Sequence, residues 1–181
     1  MDIIAHGLWT TAAARVANRS KKIEKPIKIG WATFWGVFPD LFAFVPLFSF
    51  LIVEAVLGNV NLSHFPGPDS LEPAQGDTLF LFKLTGVLYS MSHSLIIFGL
   101  VVALIYLILK KFPLEMLGWL LHIVIDIPTH SYAFYPTPFL WPLSDIKLDG
   151  LSWATSWFMA LNYSALAVVY IILWRSSKKK V

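Results

Sequence analysis

The run SHSLIIFGLVVALIYLILKK, residues 92–111, decides the architecture. No charged residue interrupts it from Ser92 to Leu109, and Lys110-Lys111 closes it. A stretch of this length and apolarity is what a membrane-crossing helix needs. Outward from it, apolar segments recur at 3–18, 27–38, 41–57, 78–91, 114–127 and 151–174. Pro39 falls between the second and third of these and predicts an interruption there, because proline lacks the N–H and disfavours helix before it. The whole chain of 181 residues agrees: 57% is apolar and only 14% charged, with a mean hydropathy of +0.67. Soluble domains carry roughly a quarter charged residues. The composition excludes a disordered chain, a disulfide scaffold and a nucleic-acid-binding surface. It predicts one all-α, polytopic membrane bundle over 1–181, with five to seven short and full-length helices. Residues 41–91 read as an inserted hairpin and 132–150 as a proline- and aromatic-rich loop. The absence of cysteine removes thiolate chemistry and Cys-type zinc sites.

The basic residues mark the ends of the apolar segments. Twelve of the fourteen Lys and Arg fall in three clusters, Arg15 to Lys28, Lys110-Lys111 and Arg175 to Lys180. The positive-inside rule puts these clusters, and the C-terminus, on the cytoplasmic side of a prokaryotic plasma or inner membrane. The start has no basic region ahead of its apolar stretch and does not read as a secretory signal. Residues 59–77 carry no Lys or Arg, suit the opposite side, and contain a solvated His64. Glu54 and Lys83 lie at matching depth on the two arms of the hairpin and are expected to pair, unless Lys83 snorkels.

Ionisable residues inside membrane segments are costly and point to function. Here they are His6, Asp40, His93, His122, Asp126 and His130. Counted from the basic boundaries at 1.5 Å per residue, His6, Asp40, His93, His122 and Asp126 lie about 13–26 Å away, in one slab of the membrane, and His130 follows a proline and is expected to curl back at the helix end. The densest signal is His122-Ile123-Val124-Ile125-Asp126-Ile127-Pro128-Thr129-His130. His122 and Asp126 stand at i and i+4, on one helix face, close enough to share an ion. A ligand set of nitrogen and oxygen suits zinc, manganese or iron. Each ring needs a partner on its second nitrogen, and Ser92, Ser94, Thr129, Ser131 and Tyr132 are the candidates. A single buried His reads as a packing residue, and an Asp after a proline reads as a helix cap. Six at one depth read as a metal site.

At these residues the sequence resembles the membrane-bound metal-dependent hydrolases of the YdjM-like group. That family is related distantly to zinc-dependent phospholipase C and to single-strand-specific zinc nucleases. The resemblance runs through His6, Gly36-Val37-Phe38-Pro39-Asp40, Ser92-His93-Ser94 and Leu121 to His130, over about residues 1–143. It implies metal-assisted hydrolysis, with Asp40, His93, His122 and Asp126 holding one metal. It implies a second held or approached by His6 and His130, with Asp126 bridging. Two departures thin the set: Phe42 stands where the family often has a second Asp, and Leu88 where it often has another His.

The reading is therefore a membrane-embedded hydrolase of a phosphoester, with a lipid as one substrate class. It would use one or two divalent ions, zinc first and Mn2+ or Fe2+ next, and Asp126 or Asp40 as general base. The loop residues Tyr135, Phe139 and Trp141 would guide the lipid. No nucleic-acid partner is expected. The competing readings use the same residues as an ion or proton path in a transporter, or as a helix-packing network. A path would spread polar groups along the membrane normal, whereas these share one depth.

Overall fold

The computed structural model describes residues 1–20, 23, 25–59, 72 and 80–178, and among these it is all-helical with no strand. Helix α1 spans Ile3–Arg19, α2 Ile29–Val56, α3 Phe80–Ser92, α4 Leu95–Leu109, α5 Leu117–Thr129 and α6 Ser156–Lys178. A short 3-10 turn at Leu114–Met116 leads into α5. His64 and nearly all of the 59–77 loop lie outside the described residues. Glu72 docks on the chain at 133–135, with Glu72 N donating to Ala133 O (2.8 Å) and Tyr135 N to Glu72 O (2.7 Å).

Three elements are long and apolar enough to cross a bilayer: α2, α6, and α3 with α4 taken as one span bent by 64°. Mean hydropathy is 2.0 in α2 and 1.7 in α6. Helix α1 has 17 residues and α5 only 13. At 1.5 Å each they reach about 26 and 20 Å, short of a hydrocarbon core of about 30 Å. The expectation of a full membrane helix at 114–127 is thus corrected to a short helix packed inside the bundle.

Two further expectations change. Residues 27–38 and 41–57 are one helix, for α2 runs through Pro39 and Pro46. Proline is tolerated in membrane helices where neighbours re-satisfy the freed backbone. Pro39 is fully buried, and its carbonyl accepts from Ser92 Oγ (3.1 Å). Asp40 therefore sits mid-helix and faces inward instead of ending a segment. The run at 92–109 breaks at His93-Ser94, where Ser94 caps α4 by accepting from Ile96 N and Ile97 N. A capping serine restarts a helix because it satisfies the otherwise unpaired first N–H groups.

Glu54 and Lys83 do not pair. Glu54 Oε2 accepts from Asn59 Nδ2 (2.8 Å), and Lys83 is exposed on α3.

Helices α1 and α2 form an antiparallel hairpin closed by Asn18, which exchanges two hydrogen bonds with the Ile27 backbone (2.7 and 2.9 Å). Thr11 bonds Thr33 across it (2.6 Å). Helix α5 lies in the angle between them. The contact is made by small residues, as membrane helix packing favours. A Cβ on Gly36 would fall 2.2 Å from Thr10 Oγ1, and one on Gly118 2.3 Å from the Ala32 carbonyl. Helix α6 rests on α1 through Tyr170 OH to Leu8 O (3.0 Å) and Trp9 Nε1 to Asn162 Oδ1 (2.8 Å). Arg19 joins the far ends of the same two helices by donating to Leu173 O (2.9 Å) and Ser177 Oγ (2.6 Å). The described basic residues at the ends of α1 and α6 thereby share one end of the bundle.

Candidate metal centre

Four segments converge on Asp126, which is fully buried near the end of α5. Earlier on the same helix Trp119 and Ile123 pack with Phe98 and Met116 in an apolar cluster. His93 arrives at the α3–α4 break, His122 one turn before Asp126, His6 on the first turn of α1, and His130 just past α5. His93 Nε2 lies 3.4 Å and His122 Nε2 3.1 Å from Asp126 Oδ2. His6 Nε2 lies 2.8 Å and His130 Nε2 3.5 Å from the other oxygen, Oδ1. Asp40 Oδ1 stands 3.6 Å from His93 Nε2 and 3.7 Å from His122 Nε2. All six residues marked in the sequence thus meet around one carboxylate.

The ring orientations are fixed from behind. His122 Nδ1 faces the Gly36 carbonyl at 2.8 Å, His93 Nδ1 the Tyr89 carbonyl at 3.0 Å, and His130 Nδ1 the Phe134 carbonyl at 3.1 Å. A carbonyl only accepts, so each ring carries a proton on Nδ1, and in the neutral ring that a metal ligand must be, Nε2 is the lone pair facing inward. Backbone carbonyls do this work, where the sequence had pointed to hydroxyls. Ser92 alone touches a ring nitrogen, at 3.0 Å from His93 Nδ1. Ser94 caps α4 and donates to Trp141 O, Thr129 donates to Ile125 O, and Tyr132 OH to Lys147 O. Gly118 is what lets α5 come close enough to α2 for the His122 contact, and Gly36 makes room for Thr10 of α1.

The consequence is a cluster of lone pairs with no proton among them. His93 Nε2 and His122 Nε2 face each other at 3.0 Å. Asp126 Oδ2 is buried without a hydrogen-bond donor. In an apolar interior such an arrangement is costly unless a cation sits within it. The ligand atoms of Asp40, His93, His122 and Asp126 all lie within 4.8 Å of one another. The separations given above for these four run from 3.0 to 3.7 Å. Ligands bonded at 2.0–2.1 Å in a tetrahedron stand about 3.3 Å apart. The residues present therefore fit a divalent ion.

The Oδ1 side of Asp126 differs. There the α-amino group of Met1 donates to Asp126 Oδ1 and lies 3.0 Å from His130 Nε2. A positive charge already balances that oxygen. His6 is fully buried, stacks on His122 with centroids 3.6 Å apart, and leaves Nδ1 without a partner.

Sequence reasoning missed the part played by four residues. Met1 carried no motif. Tyr89 stacks on His93 at 3.8 Å and donates to Tyr135 O (2.7 Å), holding Tyr135 at a φ of 42°. Such a backbone is strained for a tyrosine, and strain of this kind gathers at functional sites. Gly36 and Gly118 set the helix spacing; the glycines themselves were the only available signal. The expectation for the aromatic loop is corrected: Tyr135 is buried beneath the site, and Phe139 packs on the Trp119 cluster. Its backbone plugs the α3–α4 break, with Leu95 N donating to Phe139 O (2.9 Å).

Comparison with known proteins agrees with a membrane setting. The model of the YdjM inner membrane protein family matches residues 1–181, and the chain belongs to that family. No curated protein and no solved structure matches it. It is an integral membrane protein with a His/Asp cluster able to hold a metal ion.

Proposed function

We propose that this YdjM-family chain is a membrane-embedded, metal-dependent hydrolase of a phosphoester. The observation that carries the reading is the pair of bare Nε2 atoms of His93 and His122 aimed at Asp126 Oδ2 and Asp40 Oδ1. Those four residues would hold one divalent ion, zinc by the chemistry of the ligand set, with manganese or iron as the alternatives. Such an ion supplies a Lewis acid and a lowered water pKa. The protein does the rest. The Nδ1–H groups of His93 and His122, fixed on carbonyls, hold the rings in register. Asp126 is enclosed and orients the cluster. Asp40 keeps 15% of its side chain exposed; holding the ion through Oδ1, it would keep Oδ2 as the base that takes the proton of the attacking water and returns it to the leaving oxygen. The proposal is for one ion, because the ligand atoms of Asp40, His93, His122 and Asp126 lie within 4.8 Å of one another.

The test is metal content by mass spectrometry of the detergent-purified protein beside Asp126→Ala and His122→Ala. We expect about one equivalent in the parent and loss in both variants. Folded, chelator-free protein with no metal would overturn the reading and leave a proton-sharing or packing network.

A further inference from the structure

A groove of about 330 Å³ opens beside the metal centre and runs along α2. Its wall is the stripe Leu41, Phe44, Val45 and Phe48, spaced i, i+3, i+4, i+7 on one helical face. Asp40 and His130 close its inner end. From Asp40 to Phe48 the track is about 12 Å long. Among the described residues no Lys or Arg lines it. Val45 and Phe48 are 47% and 48% exposed on α2, a helix long and apolar enough to cross a membrane.

From this we infer that the groove is an acyl-chain site and that the substrate is a membrane lipid phosphoester reaching the centre sideways from the bilayer. The inference rests on the hydrolase reading for its chemistry. An apolar track that starts at the cluster and lies open on α2 fits one fatty chain, whose linked phosphoester then lies at Asp40 and His130. A water-soluble phosphoester would find nothing to bind along the apolar stripe of residues 41–48, so recognition there falls to the chain. Hydrolysis would break the ester P–O bond, place the water oxygen on phosphorus and leave the proton on the departing alcohol. The aromatic loop takes no part beyond Phe134, which completes one side of the groove.

Two measurements on the full chain in nanodiscs test this. The first uses phosphatidylcholine with a photoactivatable group near the end of one acyl chain. Adducts on residues 41–48 should exceed those on the lipid-facing α4 residues 100–108 by about fivefold or more, and Val45→Trp should remove that excess with metal content unchanged. Leu104→Trp, on the exposed face of α4, should leave it intact. Equal labelling of both faces, or labelling indifferent to Val45→Trp, overturns the groove. The second compares turnover of the nanodisc lipid and of bis-para-nitrophenyl phosphate by metal-loaded protein. A kcat/KM about tenfold or more in favour of the lipid supports the proposal. Equal or faster cleavage of the soluble ester overturns the lipid substrate and leaves the hydrolase reading standing. Cleavage of neither by metal-loaded protein overturns the hydrolase reading itself, and with it the substrate.

Discussion

Substituting Gly118 by alanine should empty the metal centre without touching a ligand. The added Cβ would lie 2.3 Å from the Ala32 carbonyl, 2.9 Å from Gly36 N and 3.0 Å from Thr10 Cγ2. Ordinary contact begins at 3.4 Å, so α5 must retreat from α2 by about 1 Å, and backbone atoms on the far side leave nothing flexible to yield. Two effects follow. Overpacking of this kind costs about 1–3 kcal/mol of stability. The retreat also carries His122 Nδ1 away from the Gly36 carbonyl, now 2.8 Å distant, and swings Nε2 off the cluster. Metal sites tolerate errors of about 0.2 Å, and loss of a supporting hydrogen bond typically lowers affinity about 10–100-fold. The assay is competitive metal binding in detergent, read beside a thermal melt. Gly99→Ala is the control, since nothing lies within 4 Å of its Cβ and its helix α4 is long and apolar. Gly118→Ala protein that binds metal as tightly as the parent would refute the claim that helix spacing sets the site.

Other consequences are simpler to read. Tyr89→Phe removes the bond to Tyr135 O and should lower stability by about 1 kcal/mol, measured by thermal unfolding. Arg19→Ala should cost on the order of 1–2 kcal/mol by freeing the end of α6, with metal content unchanged, because its bonds are far from Asp126. Ser94→Ala should destabilise α4 by about 1 kcal/mol and weaken metal binding, since the cap places the break that presents His93. In the cysteine-free chain, Leu143→Cys on the exposed part of the loop should react with an impermeant thiol reagent from outside the cell, and protection until lysis would reverse the orientation read from the basic clusters.

The sequence by itself determined the setting and the residues of the candidate site. Hydropathy is a local sum, so the run at 95–109 declares a membrane protein whatever the rest of the chain does. The six ionisable residues are costly in that setting, and their cost made them visible before any contact was known. Tertiary structure decided how they act. Pro39 looked like a break, yet α2 runs through it, and the continuous helix aims Asp40 inward. His93-Ser94 looked continuous with its helix, yet the cap splits it. The partners of the histidines are main-chain carbonyls of Gly36, Tyr89 and Phe134, which every residue possesses and no residue type advertises. The separation that makes Asp40, His93, His122 and Asp126 a cluster depends on α1, α2 and α5 approaching at Gly36 and Gly118, and such an approach is a property of three surfaces together. Period and composition report on one segment at a time. Distances between segments are set by how they pack.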